Sequence, residues 1–394
     1  MRKGKQIILV CTLMNFVLSM TGFLFSGILD KMAESLNVSI ASAGLLSTMH
    51  SYGAAIGVPL TLIVFRKVNR VKMLKIALLL SILLNILLVF AGSFPLLLVL
   101  RLLSGVTINS YGVMATTTVI ALAQRERLGR SLALLIAGNS LALVVGIPLT
   151  RILTQTLDWR FIFWGLTAIM ALCLVYFHLR LSEDNQSQPP LNLKAELSLL
   201  NNPRVYLILL FTFVMFMGYH GAYNYVTAYL LALFPGAESG ISVFLMLFGI
   251  GSFTGNYLGG RVSDRIGYAR SMRVGAFAQM LVVLLMLFMQ KVLWATVALI
   301  FLWVMSSWFM GLQLNSGVSQ ETGNRSRFLL SLNGSAIQLG GSLGASLAAI
   351  FISQGFTKQI IIMSLLSAAA VFLLQTFSVD KYHRAGEKAE EPSH

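Results

Sequence analysis

Apolar blocks of about 20 residues recur along the whole chain, and this feature constrains the fold more than any other. A helix of about 20 apolar residues crosses the roughly 30 Å of hydrocarbon in a bilayer. Backbone groups in lipid must bond within their own segment, so these blocks are predicted to be transmembrane helices. Only 11% of the residues are charged, against about 25% in soluble domains, which excludes a soluble fold.

We predict an all-α integral membrane protein with twelve spans. Their approximate bounds are 6–29, 40–65, 72–92, 95–122, 131–153, 160–179, 205–232, 240–260, 271–290, 293–320, 328–353 and 358–378. A polar interval divides them into an N-terminal six-helix half (1–179), a central loop (180–204), a C-terminal six-helix half (205–378) and a tail (379–394). A shift of about half the chain length places Asn69 on Asp264 and Gly146 on Gly341, so we expect the halves to be pseudo-symmetric repeats.

Basic residues lie mainly in the loops on one side of the predicted membrane. If that side carries both termini, the 29 Lys and Arg residues lie there except Arg101, inside a span, and Lys31, Arg151, Arg160, Lys291 and Lys358 on the other side. Basic loops stay in the cytoplasm, so both termini are predicted to be cytoplasmic in a bacterial inner membrane. The net charge of +15 is therefore interpreted as a topology signal, and no nucleic-acid partner is expected.

Four motifs carry a resemblance to a known family. They are the Gly-x-x-x-Asp-Arg-x-Gly pattern from Gly260 to Gly267, Arg101-x-x-x-Gly105 in span four, the segment Gly138 to Pro148 in span five, and Asp158-Trp159-Arg160 before span six. With the twelve spans and the central loop, the chain resembles the major facilitator superfamily. Its motifs are most similar to those of the drug:proton antiporter branch, which includes arabinose-efflux-like and purine-efflux-like permeases.

The resemblance implies a transporter that exports a small molecule, in many cases driven by proton entry. It implies no cofactor, with the proton gradient as driving force, and we expect a monomer whose partners are its substrate, protons and the bilayer. Cys11 and Cys173 lie inside apolar blocks, so neither a disulfide nor a metal site is predicted. The antiporter motif residues Gly138, Gly146 and Pro148 are expected to form a tight, bent span five that restricts leakage.

The loop after span eight is predicted to be a conformational gate. Its motif residues are Gly260, Asp264, Arg265, Gly267 and Arg270. A carboxylate at a helix end can pair with arginine, and the candidate partners of Asp264 are Arg130, Arg325 and Arg327. We predict that such contacts close the cytoplasmic side and break as the halves move; the alternative is a solvated loop acid.

The proton-coupling residue is sought among the few titratable groups near the membrane interior. Arg101 lies inside span four, where a charge is expensive and a functional candidate by default. No Asp or Glu lies well within a predicted span. The pKa of an isolated imidazole is near 6.5, so His220 is the first candidate and His50 the second, with Asp30 as the alternative if water reaches it. Each histidine could instead be a neutral hydrogen-bond partner.

Polar and aromatic stripes at helical spacing predict the substrate site. The predicted binding residues are Asn15, Ser19, Tyr111, Tyr219, His220, Tyr223, Asn224, Trp303, Met310, Gln313, Asn333 and Gln338. Such a lining suits a mostly uncharged or amphiphilic solute, such as a drug, nucleoside, purine or sugar-like molecule. The alternative for these residues is helix–helix packing.

Three functions remain open from the sequence. The first is an exporter, which the span-five motif favours. The second is a facilitator or an uptake symporter of the same fold. The third and most remote is an integral membrane enzyme, which would need clustered acid, base or nucleophilic groups near one membrane face; the polar residues are instead spread over many spans.

Overall fold

The computed structural model describes residues 2–64, 68–123, 128–181, 193–322 and 327–390, with side chains described there except at 2–3, 58, 62, 128–130, 133, 193–195, 327 and 377–390. In the first sequence half the α-helices are α1 (Arg2–Gly27), α2 (Leu29–Leu36), α3 (Ile40–Val64), α4 (Arg70–Phe90), α5 (Phe94–Leu122), α6 (Leu128–Leu141), α7 (Ile147–Leu153) and α8 (Trp159–Arg180). The following α-helices are α9 (Leu193–Ser198), α10 (Pro203–Tyr223), α11 (Val226–Leu233), α12 (Ile241–Ile266), α13 (Tyr268–Phe288), α14 (Leu293–Glu321), α15 (Arg327–Ser353) and α16 (Ile361–Glu390). Short 3₁₀ turns lie at Leu199–Asn201, Pro235–Gly240 and Thr357–Gln359.

In the described ranges, eleven helical segments are long and apolar enough to cross a membrane, and they coincide with eleven of the predicted spans. The remaining predicted span, 40–65, coincides with α3, which is not one of those eleven. An all-helical, multi-pass membrane architecture is thus confirmed. The count of twelve spans and their layout as two six-helix halves stay predictions.

Two predicted spans are interrupted. Span five consists of α6, a π-turn at Ala142–Gly146 and α7. Pro148 has no amide hydrogen, so the carbonyl of Val144 lacks its usual partner, and the backbone widens directly before the proline. Span seven breaks between α10 and α11 at Asn224 and Tyr225. The last helix continues to Glu390, past the predicted end of span twelve at residue 378.

Side-chain caps fix the ends of several helices. The Asn69 carboxamide accepts hydrogen bonds from the amides of Val71 and Lys72, at 2.8 and 3.3 Å, and begins α4. The Asp158 carboxylate caps α8 through the amide of Arg160 at 2.8 Å, and the Arg160 guanidinium stacks over Trp159 with its carbon 4.6 Å from the ring centre. The Asp-Trp-Arg motif is therefore a helix start.

Glycines allow the closest helix approaches in both sequence halves. A Cβ atom on Gly53 of α3 would overlap the Leu102 carbonyl of α5. A Cβ on Gly255 of α12 would overlap the Met305 carbonyl of α14 in the same way. Helices α3 and α15, and α12 and α7, make the main contacts between the halves. Helices α3 and α12, which meet the opposite half, are thus each held by a glycine contact to another helix of their own half. These contacts fix the distance of α3 and α12 from the helices behind them, and so the width of the space between the halves.

Candidate functional site

A cavity with a volume of about 260 Å³ lies between helices of the two sequence halves. Its lining includes the predicted residues Ser19, His50, Tyr219, His220, Tyr223, Asn224 and Gln338. They come from α1, α3, α10, α15 and the turn after α10. The fold therefore brings residues that are up to about 320 positions apart in the chain onto one surface, as a binding site between helices requires.

The cavity wall is uncharged and combines apolar surface with neutral polar groups. No Asp, Glu, Lys or Arg side chain from the described part of the chain lines it. Its polar groups are hydroxyls, carboxamides and the two imidazoles, and its rings are those of Phe23, Tyr219, Tyr223, Phe248 and Trp308. Hydroxyls and carboxamides both donate and accept hydrogen bonds without requiring a charged partner. Such a wall is suited to an uncharged solute that carries hydrogen-bonding groups.

His220 is a half-buried ring on the cavity wall. Its ring centre lies 5.1 Å from those of both Phe216 and Tyr219. A Cβ atom on Gly341 of α15 would lie 2.8 Å from its Nδ1 atom, so the glycine makes room for the ring. Within the described residues, no hydrogen bond occupies either ring nitrogen. Both ring nitrogens are therefore available to a solute in the cavity.

His50 lines the cavity from the first sequence half, and Arg101 lies behind that surface. The Nδ1 atom of His50 lies 3.2 Å from the Ser104 hydroxyl. Arg101 is fully buried behind it. Its guanidinium donates to the backbone carbonyls of Leu46, Thr21 and Gly22 at 3.1, 3.1 and 2.9 Å, and stacks on the ring of Phe25 at 4.7 Å.

The predicted coupling residue Arg101 thus ties α5 to α1 and α3 and does not line the cavity. Three nitrogen atoms of one guanidinium reach carbonyls on two helices, which a lysine ammonium cannot reproduce. The geometry gives Arg101 a positioning role, since it fixes the backbone of Gly22, which does line the cavity.

The cavity is closed at one end by contacts between the halves. The Ser26 hydroxyl donates to the Asn224 carboxamide oxygen at 3.0 Å, and the Asn224 nitrogen donates to the Gly44 carbonyl at 3.3 Å. Tyr225 is fully buried, and its hydroxyl donates to the Ala41 carbonyl at 3.4 Å. The break between α10 and α11 therefore presents Asn224 and Tyr225 to the opposite half as a plug.

An ion-pair cluster lies at the same end. Asp30 pairs with Arg151, whose side chain is only 2% exposed. Glu238 lies 3.9 Å from Arg151 and 3.0 Å from Lys31. Because Asp30, Lys31 and Arg151 belong to one half and Glu238 to the other, the cluster joins the halves electrostatically. The predicted coupling residue Asp30 is therefore an ion-pair partner outside the cavity lining.

Six predicted binding residues lie outside the cavity lining: Asn15, Tyr111, Trp303, Met310, Gln313 and Asn333. The Asn15 carboxamide donates to the Leu135 carbonyl at 3.1 Å and joins α1 to α6. The Gln313 carboxamide donates to the Gly259 carbonyl at 2.9 Å and joins α14 to α12. These two carboxamides therefore join helices to each other. This is the alternative role, helix–helix packing, that the sequence left open for the predicted binding residues.

The other four are equally enclosed. Asn333 accepts from Thr212 at 2.7 Å and donates to Asn315 at 2.9 Å. Trp303 donates to the Ser364 hydroxyl at 2.8 Å and packs behind Tyr219, with ring centres 5.1 Å apart. Tyr111 and Met310 are fully buried. In this structure these side chains support the wall and do not contact the cavity.

Comparison with known proteins identifies the family. The model of the Major Facilitator Superfamily matches residues 11–345. The chain belongs to the Major Facilitator Superfamily. The membership that the four motifs predict is confirmed, and the matching proteins are transporters rather than enzymes.

Bacterial relatives match most of the chain. The uncharacterized MFS-type transporter YbcL of Bacillus subtilis is 25% identical over 88% of this chain and 89% of its own length. The putative transporter AraJ of Escherichia coli is 24% identical over 97% of this chain and 98% of its own length. A probable sugar efflux transporter of Helicobacter pylori is 27% identical, with 88% of each chain covered.

Two solved structures share the fold. A point mutant of the nucleoside transporter NupG gives a TM-score of 0.75 at 12% identity over 94% of this chain and 99% of its own. A bacterial homolog of the human lysosomal transporter Spinster, in an inward-facing and unoccupied conformation, gives 0.67 at 13% identity over 98% and 97%. At these identities the likeness shows the fold alone.

The superfamily's span-five motif forms a close contact with both halves. A Cβ atom on Gly138 would lie 2.5 Å from the Thr12 carbonyl, and one on Gly146 would lie 3.2 Å from Met20 Cγ, both in α1. Pro148 is buried directly after the π-turn. A Cβ on Gly249 of α12 would lie 2.7 Å from the Leu143 carbonyl, so the π-turn packs against the opposite half.

The superfamily's loop motif joins α12 to α13. Gly267 has a φ of +77° and forms the junction, a conformation that favours glycine. The motif side chains of Asp264, Arg265 and Arg270 are exposed, and a Cβ atom on Gly260 would make an ordinary van der Waals contact with Leu312 at 3.7 Å. No ion pair of Asp264 is present among the described residues.

The candidate latch partners of Asp264 fall outside the part of the chain that the structure describes. The side chains of Arg130 and Arg327 and the whole of Arg325 lie outside the described residues. The latch stays a prediction. On the same side, Glu321 accepts a hydrogen bond from the Tyr268 hydroxyl and lies 3.8 Å from Arg204.

The sequence analysis missed a polar group of cavity residues on α5, α6 and α12. They are Asn109, Asn139, Ser140, Ser252 and Asn256. Carboxamides inside apolar spans are themselves a signal, because in lipid they must face the protein interior. Trp308 also lines the cavity, although five residues of helix place it away from the face of Trp303, Ser306, Met310 and Gln313.

Proposed function

We propose that this chain is a secondary active transporter that exports a small, uncharged, hydrogen-bonding or amphiphilic molecule by alternating access, coupled to proton entry. The observation that carries this proposal is the uncharged cavity with hydrogen-bonding groups between the two sequence halves, closed at one end by contacts that movement of the halves can break. Two six-helix halves that rock about such a site are the means of alternating access. The protein works as a monomer in the bacterial cytoplasmic membrane.

The distribution of basic residues supports an orientation for this movement. The closed end carries Asp30, Lys31 and Arg151, on the side with few basic residues, while the opposite end carries both termini and the Asp264 loop. By the positive-inside rule the closed end faces away from the cytoplasm. The cavity then faces the cytoplasm, from which an exporter takes its solute.

The names of relatives support the solute class. The Helicobacter relative is named as a probable sugar efflux transporter, and the fold neighbour NupG as a nucleoside transporter. Sugars and nucleosides are uncharged and rich in hydroxyls. The wall of hydroxyls and carboxamides matches that chemistry without any charged group.

A proteoliposome assay tests transport and proton coupling together. A pH gradient that drives protons across the membrane in one direction should drive a sugar or nucleoside in the opposite direction. If one proton is exchanged per solute, the solute should accumulate up to about tenfold per pH unit. Because His220 is the free imidazole on the wall, His220→Ala should equilibrate the solute without accumulating it. His178→Ala, at an exposed position near the end of α8, is the matched control and should behave as wild type.

Asp30→Asn tests the second coupling candidate in the same assay. Unaltered proton dependence in both His220→Ala and Asp30→Asn would exclude these residues as proton carriers. If the wild-type protein moves the solute at a rate and to a level that do not depend on the pH gradient, it is a facilitator instead. Accumulation in the direction of proton entry would identify an uptake symporter.

The gate at Asp264 gives a separate prediction. If its carboxylate latches the cytoplasmic side when that side closes, Asp264→Asn should weaken the outward-open state, because an amide cannot supply the charge. Spin labels at the exposed positions Lys72 and Gln320 measure the distance across this face. We expect the long-distance population to grow in Asp264→Asn, with Arg261→Gln, at an exposed position on the same helix that is not a predicted gate residue, as the control. An unchanged distance distribution in the presence of solute would contradict the latch.

A further inference from the structure

The cavity has two chemically different walls. The first sequence half lines it with the hydroxyls of Ser19, Ser26, Ser47, Thr48, Ser51 and Ser140. It adds the carboxamides of Asn109 and Asn139. The second half lines it with five rings, those of Tyr219, His220, Tyr223, Phe248 and Trp308, and with carboxamides, but among the described residues with only one serine hydroxyl, that of Ser252. We call these the hydroxyl wall and the ring wall.

The ring wall is held rigid by its own contacts. Tyr219 and Tyr223 are stacked at an interplanar angle of 25° with ring centres 5.4 Å apart. The Trp308 indole nitrogen donates to the Tyr219 hydroxyl at 3.1 Å. Trp303 packs behind Tyr219 and Tyr223, at 5.1 and 6.2 Å between ring centres. Tyr219 is nearly fully buried while Tyr223, His220 and Trp308 keep exposed surface, so the latter three offer ring surfaces to a solute, each held by its contact with Tyr219.

The hydroxyl wall presents oriented hydrogen-bonding atoms. The Ser19 hydroxyl donates to the Asn139 oxygen at 2.7 Å, which leaves the Asn139 amide hydrogens directed away from that bond. The Asn109 nitrogen donates to the Gly105 carbonyl at 3.0 Å, which leaves the Asn109 oxygen as an acceptor. In the described residues no other hydrogen bond uses the Asn139 nitrogen or the Asn109 oxygen. A donor and an acceptor on one wall match hydroxyl groups, since each hydroxyl can accept and donate.

We infer that the solute has two parts: a flat, uncharged aromatic ring that stacks on the ring wall, and a hydroxylated, sugar-like part that bonds to the hydroxyl wall. Nucleosides and aryl glycosides share this chemistry. The inference rests on the proposed function and makes it more specific, because a plain sugar would use the rings only weakly and a plain aromatic drug would leave the hydroxyl wall unpaired. Each half of the protein then recognises a different part of the solute.

Binding to the purified full-length protein tests the inference without any substitution. The probes are adenosine with adenine and ribose, and phenyl β-glucoside with phenol and glucose, measured by isothermal titration calorimetry. In at least one set, the joined molecule should bind about tenfold or more tighter than either part, because each part lacks one of the two contacts and each contact is worth about tenfold. The set that binds tighter distinguishes a nucleoside from a glycoside.

Variants assign the parts to the walls. Trp308→Leu should weaken binding of the joined molecule about tenfold and leave binding of its sugar part unchanged. Asn139→Ala should weaken both the joined molecule and the sugar part while leaving the aromatic part unchanged. The matched controls are Trp294→Leu, on the same helix as Trp308 but 70% exposed, and Asn85→Ala, a buried carboxamide outside the cavity. Thermal unfolding in the same detergent identifies a variant that fails to fold, in which case Trp308→Phe and Asn139→Ser replace it.

The outcomes separate this inference from the proposed function. A plain sugar or a plain aromatic that binds and is transported as well as the joined molecule would overturn the two-part solute and leave the transporter intact. Both wall variants weakening all parts equally would overturn the assignment of parts to walls. No transport of any uncharged solute in the proteoliposome assay would overturn the proposed function itself.

Discussion

Gly105→Ala is expected to destabilise the protein by about 3 kcal/mol, the upper part of the usual range for overpacking a core. A Cβ atom on Gly105 of α5 would overlap the His50 carbonyl of α3 and lie 2.8 Å from the Ala54 amide nitrogen. Both obstacles are backbone atoms, which cannot rotate away as the end of a side chain can. Helices α3 and α5 would have to separate, and thermal unfolding in detergent measures the loss.

Gly112→Ala is the matched control on the same helix. No atom lies within 4 Å of a Cβ placed on Gly112. Alanine favours a helix over glycine by about 1 kcal/mol, so this variant should be as stable as wild type or slightly more stable. Equal unfolding temperatures for the two variants would show that α3 and α5 do not pack as closely as described.

Gly105→Ala should also impair solute transport in proteoliposomes, because Gly105 lies one helical turn after Arg101. The Arg101 guanidinium reaches the Leu46 carbonyl of α3 and the Gly22 carbonyl of α1. If α3 moves away from α5, the bond to Leu46 is lost and the wall around Gly22 and His50 loses its support. The Arg-x-x-x-Gly motif therefore acts as one unit that positions the first-half wall.

Gly44→Val is expected to shift the protein strongly towards the state that is open at the Asp30 end. A Cβ atom on Gly44 would overlap the hydroxyl and ring of Tyr225, which is fully buried against it. The Tyr225 ring is enclosed on all sides, so we expect the overlap to be relieved by separation of the halves at this end rather than by rotation of the ring. A penalty of about 3 kcal/mol for overpacking would change the ratio of closed to open molecules roughly a hundredfold. Spin labels at the exposed positions Glu34 and Ser239, one in each half, measure the separation.

A second substitution makes this prediction specific to the contact. Removal of the ring in Gly44→Val/Tyr225→Ala should bring the label distance back towards that of wild type, because valine then fills part of the vacated space. Gly165→Val, on α8 where no atom lies within 4 Å of an added Cβ, should leave the distance unchanged. A Gly44→Val protein with the wild-type distance distribution would contradict the role of Gly44 and Tyr225 in closure.

The positions of the helices could be predicted well because hydropathy alone specifies them. A backbone in lipid has no alternative to internal hydrogen bonding, so an apolar block of sufficient length must be helical. The same argument could not foresee the π-turn at Ala142–Gly146, where the apolar composition continues. It could not foresee the break at Asn224 and Tyr225 either, because a polar residue that faces the protein interior can equally lie in a continuous helix. The signal for the π-turn, Pro148, was visible but compatible with a simple kink.

The candidate site could be predicted only in part, because positions that line the cavity and positions that pack against a neighbouring helix carry the same types of residue. Asn15 and Ser19 lie one turn apart on the same face of α1, yet Asn15 bonds to the α6 backbone and Ser19 opens onto the cavity. Trp303 and Trp308 on α14 differ in the same way, with Trp303 behind the wall and Trp308 on it. A polar or aromatic residue in a span must face the interior in either case.

The sequence by itself determined the membrane-spanning helices, the family and the small-residue motifs, because each depends on local composition and spacing. Only the tertiary structure decided which of the interior-facing residues meet at the cavity, that Arg101 is held by three carbonyls, and that Asn224 and Tyr225 close one end against Gly44. These properties depend on how far apart helices from distant parts of the chain lie. That separation is set by backbone contacts at glycines such as Gly53, Gly105 and Gly255.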